Sequence, residues 1–350
     1  MLCFWNQGNN GISTMSDNSG NNAWTRIDPA EAGFDAAKLA EFEEFSRNNS
    51  GVTSMVVAVD GKIMYTYGDI SATSIIASCR KSVLSMLYGK YVADGTIKLD
   101  RTVGELGITD IGGLLPSEKL ATVYNLLTSR SGVYHPSATS GGKTDGLERG
   151  TTLHGTRYVY NNWDFNVAGT VFSMLTGKDI FKAFYEELAL PLGLEDYDPS
   201  PELHKLTGDA ELSNHLGYHF YLSARDMAKL GELMRRNGVW NGKVLVPADW
   251  IERCTTLVSP FDKNDPESEF WSGYGMMWWI VNSEKHPELE GAYSALGSYG
   301  QYIMVVPKLK MVFAFKSAGN KARPTKRRQF FTILDRLLQT RNRKASDSEI

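Results

Sequence analysis

The stretch Ser78-Cys79-Arg80-Lys81-Ser82-Val83-Leu84-Ser85-Met86-Leu87-Tyr88-Gly89-Lys90-Tyr91-Val92-Ala93 decides the reading of this chain. Val83, Leu84, Leu87, Tyr88, Tyr91 and Val92 recur at helical spacing and fall on one face. Gly95 then ends the pattern. A helix from Ser78 to Ala93 makes Ser78 and Lys81 i, i+3 neighbours, about 5–6 Å apart at Cβ. The lysine amine can then reach the serine oxygen. The helix N-terminus adds unpaired N–H groups and positive potential, which favour an anionic intermediate and oppose protonation of Lys81. A free lysine, with a pKa of about 10.4, is no base at neutral pH. Burial and nearby positive charge would make it one, with Ser78 as its nucleophile.

Ser-x-x-Lys is a weak signal by itself, and the chain holds it twice. The second copy, Ser140-Gly141-Gly142-Lys143, sits in a Gly/Ser/Thr loop over 137–150, where nothing fixes the i, i+3 geometry. The competing reading of Ser78 is an N-cap serine, with Lys81 a solvated first-turn residue.

Outward from this helix, Glu31 to Asn48 has amphipathic helical spacing, with Phe34, Leu39, Phe42 and Phe45 apolar. Val52 to Tyr67 reads as a β-hairpin turning at Asp60-Gly61. The middle reads as short helices between loops: 117–127, 165–175, 180–188, and 224–237 closed by Gly238. Strands return at 276–281, 301–306 and 311–316, and a helix over about 324–341 follows. The hairpins imply a mostly antiparallel sheet with helices packed on it. The expected organisation is a disordered tail over 1–23 and one catalytic domain over 24–345. That domain would have an α/β lobe (24–100 plus 261–345) and an inserted helical lobe (101–260), with a ligand cleft between them.

Composition narrows the function. The 350 residues are 42% hydrophobic with a net charge of -3, which gives no nucleic-acid surface. No apolar run is long enough to span a bilayer. Cys3, Cys79 and Cys254 are too few for a disulfide framework. His215 and His219, at i, i+4, could share a helix face, but no metal or cofactor is expected. The N-terminus is not a good signal peptide, Met15 is a possible second start, and the expected compartment is cytoplasmic. The oligomeric state is not legible.

Downstream of Ser78 comes the chain's one Tyr-x-Asn, Tyr160-Asn161-Asn162, preceded by Gly155-Thr156. With Leu126-Leu127-Thr128-Ser129-Arg130-Ser131-Gly132, Pro191-Leu192-Gly193-Leu194 and Ser223-Ala224-Arg225-Asp226-Met227-Ala228, the chain resembles the serine β-lactamase-related family over about 30–335. That family includes class C β-lactamases, esterase relatives, D-aminopeptidases and 6-aminohexanoate-oligomer hydrolases. The resemblance implies an α+β, β-lactamase/transpeptidase-like fold: an antiparallel sheet flanked by helices, with an inserted helical lobe. It implies Tyr160 as a second acid/base group, its pKa lowered beside Lys81. It also implies that Asn162 donates to the substrate carbonyl. Asp164 is expected to be a helix N-cap.

The family's third motif departs. Where it has Lys-Thr-Gly or His-x-Gly, this chain has Ala295-Leu296-Gly297, then Ser298-Tyr299-Gly300. Gly297 is kept and the cation is lost. By position, the Ser298 N–H would join that of Ser78 in an oxyanion hole. The absent cation argues for a neutral ester or amide over penicillin. Met276-Met277-Trp278-Trp279 and Tyr299 are candidates for an apolar acyl pocket or for plain core. A literal Ser16-Asp17-Asn18 lies upstream in the tail and is set aside.

The expected protein is thus a serine hydrolase forming an acyl-enzyme at Ser78, acting on a small carboxylic ester or amide. Action on ω-amino-acid oligomers or D-amino-acid peptides is the first alternative. A non-catalytic binding protein on the same fold is the second. An α/β-hydrolase using Leu296-Gly297-Ser298-Tyr299-Gly300 is disfavoured, since no histidine follows 286.

Overall fold

The computed structural model describes residues 24–318 and 323–342. The expected 1–23 tail, with Cys3, Met15 and Ser16-Asp17-Asn18, lies outside the described residues.

Eight strands form one sheet: β1 (Val52–Val59), β2 (Lys62–Gly68), β3 (Ser259–Pro260), β4 (Trp271–Tyr274), β5 (Trp279–Val281), β6 (Tyr293–Gly297), β7 (Gln301–Val306) and β8 (Met311–Ser317). Their order is β2-β1-β8-β7-β6-β5-β4-β3, and every pairing is antiparallel. The fold is the expected α+β, β-lactamase/transpeptidase-like one. The wholly antiparallel sheet also excludes the parallel βαβ architecture of an α/β-hydrolase.

Both faces of the sheet are covered. Every residue of β7 and β8 is buried, as a strand between two helical layers requires. Alternation assigns the faces. Tyr302 and Phe313 stack on Phe330 of the C-terminal helix Arg327–Gln339. On the opposite face, Ile303 and Val312 surround Gly231 of the helix Ala224–Arg235. This last helix corrects the expected lobe boundary. Its apolar stripe, Met227, Leu230 and Met234, belongs to the sheet layer although it lies within 101–260. Strand β3 likewise joins the sheet from that segment.

Local chemistry explains the other differences. The first helix begins at Ala36, because Asp35 accepts from the Ala37 and Lys38 N–H groups. The expected helix over 117–127 is two pieces, because Thr122 and Asn125 form a capping box that starts a new helix at Val123. The expected strand 276–281 starts only at Trp279. Gly275 to Trp278 make a tight turn, with Gly275 N–H donating to Trp278 O, that joins it to β4. His215 and His219 are not on a helix; Gly217–Tyr218 between them is a short strand.

Gly231 sets how closely its helix approaches the sheet. A Cβ there would lie 2.6 Å from Val312 Cγ1 and 2.8 Å from Ile303 Cγ2. Gly231→Val is expected to destabilise the fold by about 1–3 kcal/mol through overpacking. A denaturant melt checks this, with a lowered midpoint as the expected result.

Candidate active site

Ser78 stands where a short extended segment, Ser74–Ile75, turns into the helix Cys79–Ala93. The turn is tight. Ala77 takes a left-handed φ of 47°, a conformation that costs a non-glycine residue about 1–2 kcal/mol. Backbone bonds from Cys79 N to Ile76 O and from Arg80 N to Ala77 O close it. The helix itself is almost wholly buried, and two of its serines tie it to the β4–β5 turn. Ser82 Oγ donates to Met277 O (2.6 Å) and Ser85 Oγ to Met276 O (2.9 Å).

Ser78 occupies the N-cap position, but its hydroxyl caps nothing. Lys81 Nζ donates to Ser78 Oγ at 2.8 Å and to Tyr160 OH at 2.7 Å. Lys81 is 2% exposed and Ser78 is half-buried. The amine is therefore hidden and the serine hydroxyl reachable. Neither the N-cap role for Ser78 nor a solvated Lys81 survives this geometry. The second Ser-x-x-Lys pair is unrelated to it: Lys143 lies 3.9 Å from Glu267 in an ion pair, and Ser140 offers only its carbonyl to Asn162.

Burial, aided by the neighbouring Arg80 charge, holds the Lys81 amine well below the ordinary lysine range. Burial pushes the Tyr160 phenol up to about 12, against smaller opposing contributions from the Ser78 hydroxyl and Arg80. This corrects the expectation of a lowered Tyr160. The ring lies among Phe165, Tyr274 and Trp279, where a phenolate is poorly solvated. The pair thus comprises an amine disposed to be neutral and a phenol disposed to keep its proton. Cys79, next to the nucleophile, is buried with its thiol pushed up to about 12, so it is not a competing thiolate.

The segment carrying Tyr160 is held from both sides by the Leu126–Gly132 stretch. Ser129 Oγ donates to Val159 O (2.7 Å) and accepts from Asn161 N (3.0 Å), while Val159 N donates to Ser129 O (3.0 Å). Ser131 Oγ donates to Asp164 at 2.5 Å. Asp164 is thus not the helix cap. Asn161 caps Asn162–Thr176, and Asp164 is fully buried, with its carboxyl pushed up by desolvation. Asn162 differs from its expected role too. Its amide donates to Ser140 O at 2.6 Å and pins the 139–140 loop, while its buried Oδ1 has no partner among the described residues.

Gly297 ends β6 directly against the nucleophile's turn. A Cβ there would lie 2.3 Å from Ile76 O and 3.3 Å from Cys79 Sγ. Glycine is required because the strand touches the backbone two residues before Ser78. Ser298, the next residue, is exposed. Among the described residues, neither the Ser78 nor the Ser298 N–H donates to a backbone carbonyl, so both remain free for an oxyanion. Ala295 is fully buried in β6 and brings no cation. Beside Ser298 and Tyr299 a cleft of about 450 Å³ is lined also by Glu267 and Arg327. Arg327 is ion-paired to Glu267 and lies 5.5 Å from the Trp279 ring centroid.

Of the aromatic stretch, Trp279 faces Tyr160, whereas Trp278 packs on Tyr293 in the core. The sequence reading missed Tyr274, Phe165 and Ser129. Only the Leu126–Gly132 resemblance pointed to the last. One group of metal-type ligands occurs among the described residues, His286, Glu288 and Asp335, with ligand atoms within 4.8 Å of one another. None of the three belongs to the Ser78 site. No helix among the described residues is long and apolar enough to cross a membrane.

The fold is β-lactamase/transpeptidase-like, and Ser78, Lys81 and Tyr160 cluster within it. The chain belongs to the beta-lactamase family, whose model matches residues 41–337. It is similar in structure to a putative 6-aminohexanoate-dimer hydrolase from Bacillus anthracis: TM-score 0.64, 20% identity, 91% of this chain and 86% of that one covered. A putative beta-lactamase from Bacteroides dorei matches at TM-score 0.66 and 17% identity, over 89% of this chain and all (100%) of the other. A mutant class C beta-lactamase matches at 0.61 and 16%, over 87% and 98%. In sequence, an uncharacterized protein of Alkalihalophilus pseudofirmus is 28% identical over 110 residues, 29% of this chain and 32% of that protein. The chain thus spans about a third of that relative's length.

Because β6 rests on the Ile76 carbonyl, Gly297→Val is expected to displace the Ser298 N–H. The loss in kcat/KM would be about 100-fold or more, the usual effect of removing one oxyanion donor. Hydrolysis of an activated ester, measured beside a thermal melt to verify folding, checks this.

Proposed function

We propose that this protein is a serine hydrolase that forms an acyl-enzyme at Ser78 on small, uncharged carboxylic esters or amides. The observation that carries the reading is the pair of hydrogen bonds from a buried Lys81 to Ser78 and Tyr160. Lys81 takes the Ser78 proton as Oγ attacks the carbonyl carbon. The Ser78 and Ser298 N–H groups hold the resulting oxyanion. The proton then passes from Lys81 through the Tyr160 hydroxyl to the leaving alcohol or amine. Water attacks the ester at Ser78 in the second half-reaction, with the same groups acting in reverse. Asn162, with its amide committed to Ser140, serves in this reading to hold the wall of the cleft.

Two features favour a neutral substrate. Ala295 supplies no counter-ion for a carboxylate, and the positive charge at Arg327 is matched by Glu267. Phe270, Leu296 and Tyr299 in the lining of the cleft beside Ser298 suit an apolar acyl chain. A second reading, amide hydrolysis of ω-amino-acid oligomers, draws support from the neighbour described as a 6-aminohexanoate-dimer hydrolase. A non-catalytic role sits poorly with a serine hydroxyl bonded to a desolvated amine.

A fluorophosphonate probe is expected to label the wild type and not Ser78→Ala. A panel of p-nitrophenyl esters, the matching anilides and nitrocefin then ranks the substrates. Esters are expected to turn over fastest, with Ser78→Ala lowering kcat by about 10³-fold or more. Absence of labelling overturns the hydrolase reading. Nitrocefin turnover rivalling the esters overturns the preference for neutral substrates.

A further inference from the structure

Arg80 lies beneath the site and is only 2% exposed. Its guanidinium sits 4.3 Å from the Tyr218 ring centroid, and its Nη2 donates to Asn166 Oδ1 at 2.7 Å. Its Nη1 is buried and has no partner among the described residues. No carboxylate pairs with it among the described residues. The titratable groups that interact with it electrostatically are Lys81, Tyr160, Tyr218, His219 and Tyr274. None of them is an anion in its favoured state. Tyr160 is pushed up to about 12, Tyr218 and Tyr274 are pushed up by burial, and His219 is pushed down to about 4. The acid of the neighbouring helix, Asp164, is bound to Ser131 and Asn161 instead. A buried cation with an unsatisfied N–H and no anion is costly to keep, and packing alone does not call for one.

We propose that Arg80 is an electrostatic positioning residue, whose unneutralised buried charge repels a proton from Lys81 and so keeps the amine a base at neutral pH. The inference rests on the reading of Lys81 as the general base. Burial alone already disfavours the ammonium; Arg80 adds a fixed charge of the same sign one residue away, in a medium that screens it poorly. The sign follows. With the Lys81 pKa lowered, activity rises as pH rises through that value. Removing the Arg80 charge raises the value and moves the acid limb to higher pH. Above the limb the amine is neutral in either case, and the rates converge.

The test is the pH dependence of kcat/KM and of fluorophosphonate labelling in the wild type, Arg80→Gln, Arg80→Met and Arg80→Lys. Far-UV circular dichroism verifies folding. In the neutral variants the acid limb is expected to move up by about one pH unit or more, with the high-pH plateau within about threefold of wild type. Arg80→Lys keeps the charge and is expected to keep the limb. If Gln and Met do not fold, Asn166→Asp places an anion on the guanidinium with little change of shape, and is expected to move the limb in the same direction. A limb that stays in place while the rate falls equally at every pH overturns the proposal and leaves Arg80 a packing residue. Lys81→Met separates the two layers. If the wild type shows no labelling, or if Lys81→Met retains the limb, the Lys81 reading itself falls and the Arg80 proposal with it.

Discussion

The rest of the site depends on the desolvation of one amine. Lys81 is sealed between Ser78, Tyr160 and the Phe165 ring, 4.7 Å from the Phe165 centroid. An exposed lysine at this position would be an ammonium and could accept nothing. Burial, with the Arg80 charge beside it, holds the amine well below the ordinary lysine range without any partner histidine or carboxylate, which is what the proposed base role needs. The same burial keeps the Tyr160 proton on its oxygen. Exclusion of water thus acts on both groups, and the rings of Phe165, Tyr274 and Trp279 packed around Tyr160 contribute to it.

That condition explains the architecture around the site. The helix bearing Lys81 must be buried on nearly every side, and it is clamped by Ser82 and Ser85 to the β4–β5 turn, by Trp250 Nε1 donating to Ser85 O, and by Cys79 against β7. Ser78, at the helix mouth, keeps partial access to solvent, whereas Cys79 to Gly89 are buried. Strand β6 reaches this mouth because residue 297 has no side chain. Farther out, Asp226 of Ser223–Ala228 accepts from the Glu195 and Asp196 N–H groups (2.9 and 3.1 Å), and Lys229 Nζ donates to Gly193 O (2.5 Å). Two segments that looked like separate family marks are thus parts of one contact.

Much of this was legible in the sequence. The i, i+3 placement of Ser78 and Lys81 follows from the apolar stripe behind them, and the hairpin 52–68 from Asp60-Gly61 between β-formers. The family resemblance placed Tyr160 correctly beside Lys81. What the sequence hid were effects of tertiary environment. Tyr160 was expected to be acidic beside Lys81, but burial among aromatic rings makes the phenol retain its proton. Asn162 looked free of other partners, but the Ser140 carbonyl upstream accepts a hydrogen bond from its amide. Asp164 looked like a cap, but Asn161 had already taken that position. The helix 224–235 could not be assigned to the sheet layer from order along the chain, because only the contacts of Gly231 reveal which surface it covers.

The central claim is that the Lys81 amine is held well below the range of an ordinary lysine. Its most direct test is an NMR titration of the Lys81 side chain in the wild-type protein, labelled with ¹³C at lysine Cε and assigned with Lys81→Arg. The account predicts a midpoint well below the ordinary lysine value of about 10.4. A Lys81 midpoint at or above that value would contradict the account, because the amine at Ser78 would then be an ammonium throughout the physiological range.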